Sequence, residues 1–234
     1  MIVPVYNEEA KIPRVVERLK AMTAPCVDEV VVVDDGSTDR SAQWAEDGGA
    51  TVIRLGHCDG VGAALRCGFE YARVSGYDIC VCMAGNNKDE PDEIPRLLEP
   101  IVGRGDDFVQ GSRYLPGGVV GNTPLLRRFA TRLHPWLFSL FVGKRMTEST
   151  NGFRAFRLSL LEDPGIRLDQ RWLDGYELEP YMLFQVIRRG YKHREVPCTK
   201  IYPAKELGQT KVPPVFGWWA LLRPILLLGL RIKD

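Results

Sequence analysis

The chain has 234 residues, 45% of them hydrophobic and 26% charged, the balance of one globular domain; disordered and collagen-like chains are excluded. With 31 basic against 30 acidic residues the formal net charge is +1, which disfavours wholesale electrostatic capture of nucleic acid, and no nucleic-acid partner is expected. The 6 cysteines include no CxxC pair and point to reduced thiols in a cytosolic protein, not to a disulfide framework.

In chain order, Met1 runs directly into the short apolar strand Ile2–Val5, with neither the basic nor the long apolar region of a signal peptide, and the abrupt start suggests a trimmed natural beginning. Glu8–Met22 carries Ile12, Val15, Val16 and Leu19 at helical spacing. Val30–Val33 is a run of valines, the signature of a strand buried on both faces. A helix over Ser37–Glu46 follows, with Ser37 or Thr38 as N-cap. Then come a strand at Thr51–Leu55, a helix at Val61–Ser75 and a strand at Ile79–Met83 whose Cys80 and Cys82 face one core. Pro91–Val102 reads as a helix and Phe108–Gln110 as a strand. Such alternation predicts a doubly wound, mostly parallel α/β sheet flanked by helices, with ligands beyond the carboxyl ends of its strands. The second half changes character. Leu125–Val142 is a basic, aromatic amphipathic helix, Tyr176–Arg189 another helix, and Glu195–Ile201 a strand. The apolar stretch Val215–Leu230 is broken by Arg223 and Pro224 and falls short of the roughly 20 residues of a bilayer span.

The strongest chemical signal is Asp34-Asp35-Gly36-Ser37-Thr38-Asp39 after the valine strand. An Asx-turn with an N-cap accounts for one carboxylate; a second one, at the ligand edge of a parallel sheet, can accept from a ribose hydroxyl or a base N–H. Tyr6 can stack on a base, and Glu8 can accept a hydroxyl or serve as a first-turn acid. The Gly60-Val61-Gly62 turn at a helix start fits phosphate binding, close packing or a plain turn equally well. His57, His134 and His193 show no ligand spacing and are read as structural or surface residues.

Seven short segments in order resemble glycosyltransferase family 2 enzymes of the GT-A fold, and within them the polyprenyl-phosphate glycosyltransferases of the dolichyl-phosphate mannosyltransferase type. They are Ile2-Val3-Pro4-Val5-Tyr6-Asn7-Glu8-Glu9, Val33–Asp39, Gly60–Arg66, Gly111-Ser112-Arg113-Tyr114, Asn151-Gly152-Phe153-Arg154-Ala155, the run from Arg189-Gly190-Tyr191 to Glu195-Val196-Pro197, and Gly208-Gln209-Thr210-Lys211. The resemblance implies an inverting transferase that moves a sugar from a GDP- or UDP-sugar to a polyprenyl phosphate. A family 2 enzyme with a non-lipid acceptor and a non-catalytic nucleotide-sugar-binding subunit are the alternatives. It implies that Pro4, Tyr6, Glu8 and Asp35 hold the nucleoside, that Arg113 lies beside sugar and acceptor, and that Lys205 and Lys211 hold phosphates. Glu148 matches the family's acid before Gly-Phe-Arg and is expected to orient an arginine. One domain over 1–234 is expected: a nucleotide-binding half at 1–115, an acceptor and phosphate half at 116–211, and an apolar membrane-interface segment at 212–234.

The sequence departs from the family where its metal-binding Asp-x-Asp falls at Ala84-Gly85-Asn86. Mg²⁺ and Mn²⁺ prefer hard anionic oxygens. Three readings follow: Asn86 and Asp89 hold a metal weakly, Lys88 replaces its charge on the nucleotide, or the site is inactive. Lys88-Asp89-Glu90 also fits a solvated loop. A polyprenyl phosphate arrives mostly as a dianion and needs cations rather than a general base; Arg127, Arg128 and Arg132 supply them on a greasy helix. Trp136 on that helix, and Trp218 and Trp219 beside Arg223, suggest helices lying in the interface at the inner face of a membrane. Packing on the sheet, on another copy or on a membrane-protein partner is the other reading.

Overall fold

Valines in succession can bury both faces only inside a sheet. In the computed structural model, which describes residues 1–22, 26–203 and 216–233, β2 (Val31–Asp34) is buried throughout. It lies between β1 (Ile2–Val5) and β3 (Thr51–Arg54), parallel to both, with Val3 opposite Val32 and Val33 opposite Ile53. Alternate residues serve opposite faces. Ile2, Val31 and Val33 join one apolar cluster with Phe69, Phe108 and Phe156; Val3, Val5 and Val32 join the other with Val15, Val16, Ile94 and Leu97. These clusters are supplied by α1 (Ile12–Lys20) and α4 (Ile94–Arg104) on one side and α3 (Val61–Val74) on the other; α2 is Ser41–Asp47.

The central sheet has seven strands in the order β3-β2-β1-β4-β7-β5-β8, with β4 at Ile79–Cys82, β5 at Phe108–Ser112, β7 at Arg154–Arg157 and β8 at His193–Pro197. All pairings are parallel except those of β7, which runs antiparallel to both β4 and β5. A second, two-stranded sheet pairs β6 (Val119–Gly121) with β9 (Thr199–Ile201). Among the described residues, three α-helices complete the second half: α5 (Leu125–Val142), α6 (Leu178–Arg188) and α7 (Phe216–Gly229). The mostly parallel α/β sheet agrees with the sequence.

Several boundaries differ, each for a local reason. The helices expected from Glu8 and Ser37 begin at Ile12 and Ser41, because the preceding residues tie the two turns together. The Asn7 and Glu8 amides donate to Ser37 Oγ (2.9 Å) and Ser41 Oγ (2.7 Å), and the Thr38 amide donates to Asn7 Oδ1 (2.8 Å). Ser37 is therefore no N-cap. The strand expected over Glu195–Ile201 is cut after Pro197, which lacks an N–H for a continuing ladder. There the Cys198 amide donates to Ser112 O (3.0 Å), and the chain crosses into the small sheet. Strand β7 escaped the sequence reading because it begins with a charge: Arg154 is only 2% exposed, and it donates to Asn151 O (2.5 Å) and pairs with Glu179 (3.1 Å).

His193 on β8 packs beside Phe108, ring centroids 5.9 Å apart, with neither ring nitrogen hydrogen-bonded among the described residues. Burial, then Lys144 and Arg154, pushes its imidazolium down to about 3, with Asp106 opposing. A folded-state value below the unfolded one means that the unfolded chain takes the proton first as the medium acidifies. The stabilisation is complete above about pH 6.5 and is lost as pH falls toward 3. Between pH 7 and 4.5 the wild type should lose roughly 2 kcal/mol more unfolding free energy than His193→Phe, at about 1.4 kcal/mol per pH unit and proton. Urea melts with parallel pH slopes for the two proteins would contradict this.

Candidate active site

The turns after β1 and β2, tied as above, end at a cavity of about 700 Å³ at the carboxyl edge of the sheet. Pro4, Tyr6, Glu8 and Asp35 all line it, as do Asn86, Lys88, Arg113 and Arg127. Residues chosen from five separate stretches of sequence thus share one space. Arg128 does not: it is exposed on α5, one residue beyond the cavity wall. Lys205 and Lys211 lie outside the described residues.

Tyr6 is half-exposed at the rim, and Glu8 pairs with Lys11 at 2.7 Å. Asp35 is buried and does more than face the cavity. Its carboxylate accepts from the amides of Asp59 (2.9 Å) and Gly60 (3.0 Å), so it fixes residues 58–60 as the opposite lip. The Gly-x-Gly turn there proves to be a close-packing device. A Cβ on Gly62 would stand 2.0 Å from Leu173 O, and the amides of Gly62 and Ala63 donate to Asp174 O (2.7 and 3.1 Å). The first turn of α3 therefore offers those amides to the protein and not to a phosphate.

Arg113, at the end of β5, is 3% exposed, and its Nε donates to Glu148 Oε2 at 2.6 Å. Burial works against the guanidinium charge, but Glu148, with Tyr202 and Tyr114, outweighs it and holds the pKa above its ordinary value. Arg113 NH1 is buried without a hydrogen bond among the described residues. The other oxygen of Glu148 accepts from the Thr150 amide (2.9 Å) and hydroxyl (2.8 Å), so the acid is locked to its own loop and orients the arginine. Glu195 on β8 holds that loop in turn, accepting from the amides of Thr147 (2.9 Å) and Glu148 (2.7 Å).

Two side chains that the sequence reading passed over also line the cavity, Lys200 and Tyr202, and Asn151 supports the first of them from behind. Lys200 is buried, and its ammonium donates to both oxygens of Asp89 (2.6 and 2.8 Å) and to Asn151 Oδ1 (2.9 Å). Lys88 Nζ lies 4.7 Å from the centre of the Tyr202 ring, and Arg127 Cζ lies 5.5 Å from the same centre. Burial pulls Lys88 down to about 7, helped by Lys200 and Arg127 and opposed by Asp89 and Glu8. Lys88 is thus no part of a solvated loop.

Whether a divalent ion fits is decided by the donors. Ala84 and Gly85 contribute no side-chain oxygen; a Cβ on Gly85 would stand 2.6 Å from Val5. Asn86 offers a neutral carbonyl, and Asp89, the expected acid, is already bound by Lys200. Among the described residues no three His, Cys, Asp or Glu side chains converge. This set does not fit Mg²⁺ or Mn²⁺, for which one or two free carboxylates hold the ion beside substrate phosphates.

The outer wall of the cavity is α5, through Arg127 and Thr131, with Leu221 of α7 beside it. Burying one face of α5, with His134 and Phe138, leaves Leu125, Phe129, Leu133, Trp136 and Leu140 as one exposed apolar stripe. Trp219 of α7 is also exposed. His134 bridges inward, from Ser149 Oγ (2.7 Å) to Leu221 O (3.0 Å). No helix among the described residues is long and apolar enough to cross a membrane.

The Arg113–Glu148 pair sets an expectation for stability. Glu148→Gln leaves a buried guanidinium without its counter-charge and should cost about 3–5 kcal/mol in urea unfolding. The exposed Arg128→Ala should stay within about 0.5 kcal/mol of wild type. Equal stability of the two variants would show that the pair does not hold the loop.

Residues 1–164 match the sequence model of glycosyl transferase family 2. An undecaprenyl-phosphate mannosyltransferase of Micrococcus luteus is 36% identical over 90% of this chain and 86% of its own length. The polyprenol monophosphomannose synthase of Mycolicibacterium smegmatis is 32% identical over 91% of this chain and 80% of its own length. Among solved structures, glucosyl-3-phosphoglycerate synthase of Mycobacterium tuberculosis, in complex with Mn²⁺, UDP-glucose and phosphoglyceric acid, superposes with a TM-score of 0.69 at 22% identity, over 100% of this chain and 79% of that one, and shares the fold. Sheet, cavity and sequence agree that the chain belongs to glycosyltransferase family 2, with the GT-A architecture of those enzymes.

Proposed function

We propose that the protein transfers a sugar from a nucleoside diphosphate sugar to a polyprenyl phosphate, working on the cytoplasmic face of a membrane without crossing it. The observation that carries this reading is α5: its inner face supplies Arg127 to the cavity and its outer face is an apolar stripe. A helix lying in the interface in this way brings a lipid-linked anion to a polar site without removing its chain from the bilayer. The names of the mannosyltransferase relatives point to the same acceptor class.

In this reading Pro4, Tyr6, Glu8 and Asp35 hold the nucleoside in the half of the chain up to residue 115, and the remainder serves acceptor and phosphates. An oxygen of the acceptor phosphate attacks the anomeric carbon from the face opposite the diphosphate. The new C–O bond forms as the bond to the nucleoside diphosphate breaks, and the configuration inverts. The acceptor is already mostly ionised near neutral pH, so no side chain has to remove a proton. Catalysis then rests on alignment and on charge placed where the leaving group develops it. Arg113, fixed by Glu148, serves the sugar and acceptor from the cavity wall. Arg127 faces the acceptor phosphate from the cavity wall, Lys205 and Lys211 keep the phosphate role that the family resemblance gives them, and Arg128, on the outside of α5, meets lipid headgroups.

A panel of UDP- and GDP-sugars with a short polyprenyl phosphate tests the reaction. The expected product is a polyprenyl-phosphate sugar, formed with the phosphate and not with the free polyprenol. Transfer to sugars or proteins in place of the lipid would move the protein to another acceptor class; no transfer with any pair would make it a binding subunit.

The membrane face has its own test. Flotation with anionic liposomes should show binding that weakens as salt rises, because arginines and apolar side chains act together. Trp136→Glu should abolish it by placing a charge within the stripe. Wild-type protein that stays wholly soluble at low salt would remove the support for a lipid acceptor.

A further inference from the structure

The cavity has no acids at positions 84 and 86, where the family's metal motif falls, and a lysine stands in the same loop. Lys88 follows Asn86 by two positions, lines the cavity and is only 7% exposed. Its ammonium makes no ion pair among the described residues; it rests on Tyr202, itself 2% exposed. Holding a cation in so dry a place without a carboxylate is costly unless an anion arrives to meet it. The neighbouring acid cannot serve it, because Asp89 is engaged by Lys200, which Asn151 also holds. Arg127 approaches the same tyrosine ring from α5. The groups facing Lys88 are therefore Lys200, Arg127, Asp89, Glu8 and Tyr202, and the Asp89 charge is already matched. A divalent cation entering here would meet positive charge and few anionic donors. A diphosphate would meet the reverse.

We propose that the Lys88 ammonium, seated on Tyr202, takes the place of a divalent cation against the diphosphate of the nucleotide, while the Asp89–Lys200 pair closes the position to a metal. This rests on the donor reading above and names how this chain holds that donor. A lysine is a compact point charge with three donors, able to follow the β-phosphate as it separates from the sugar. It needs no coordination geometry, which explains how Ala84 and Gly85 can stand where acids would otherwise be required.

Calorimetry with UDP, GDP and the corresponding monophosphates separates the possibilities, in excess EDTA and again with added Mn²⁺. For the base that the protein prefers, wild-type affinity for the diphosphate should agree within about twofold between the two conditions. Lys88→Met keeps the length of the side chain and removes its charge. It should weaken diphosphate binding at least about tenfold, or about 1.4 kcal/mol, and monophosphate binding by less than about threefold. Lys88→Arg should restore most of the loss, which a merely structural role would not predict. An EDTA-induced loss of about tenfold or more in the wild type would overturn the proposal in favour of a metal. So would wild-type diphosphate affinity in a folded Lys88→Met protein, with nucleotide binding itself intact. If neither diphosphate binds under any condition, the donor reading falls and this inference falls with it.

Discussion

The reversed direction of β7 is the constraint on which the site depends. A parallel strand between β4 and β5 would place its carboxyl end at the cavity and send its leading segment to the far edge of the sheet. Because β7 is antiparallel to both neighbours, residues 147–153 arrive at the same edge as the ends of β1, β2, β4 and β5. That is why Glu148 can meet Arg113, and why Asn151 can meet Lys200. The inserted strand is held by groups that are expensive to bury singly. Arg154 is held through its terminal nitrogens by Asn151 and Glu179, and the loop before it by Glu195. Each polar group is stable only because the next is in place, so sheet order and site geometry stand or fall together.

Much of the sheet was legible because it depends on local pattern. The valines of β2, the alternating cysteines of β4 and the helical spacing of α1 and α3 report burial through periodicity, and the fold confirms them. What escaped depends on partners distant in sequence. No window around Arg154 reveals that its charge will be matched by Glu179, and none around Lys200 reveals Asp89, 111 residues away. The glycines of residues 60–62 looked equally suited to a phosphate; only the carbonyls of 173–175 pressed against them show that their purpose is close approach. Asp89 entered one of the three readings of the altered motif as a weak metal ligand, from its place in sequence near Asn86. The charge that occupies it comes from the other half of the chain.

Electrostatics at the cavity follows from what is matched and what is not. Glu8 with Lys11, Glu148 with Arg113, and Asp89 with Lys200 are neutral pairs that fix geometry. Asp35 spends its charge on backbone amides. Among the described residues Lys88 makes no ion pair, and both it and Arg127 are placed against Tyr202. Low local polarity strengthens whatever charge remains, so this corner favours an arriving anion over a second cation. The site reads as an arrangement in which most charges are locked so that few can act.

The Asp89–Lys200 pair also bears on how such a site can change over generations. Both side chains are almost wholly enclosed. Replacing either alone strands a bare charge in the interior, a loss of about 3–5 kcal/mol, which is a large share of the whole stability of a typical domain. Returning acids to positions 84 and 86 would bring fresh carboxylates beside an acid that already has its counter-ion, and would leave Lys200 in place. Exchanging the pair for an uncharged arrangement therefore takes two substitutions made together, since each partner is the other's only ion pair among the described residues.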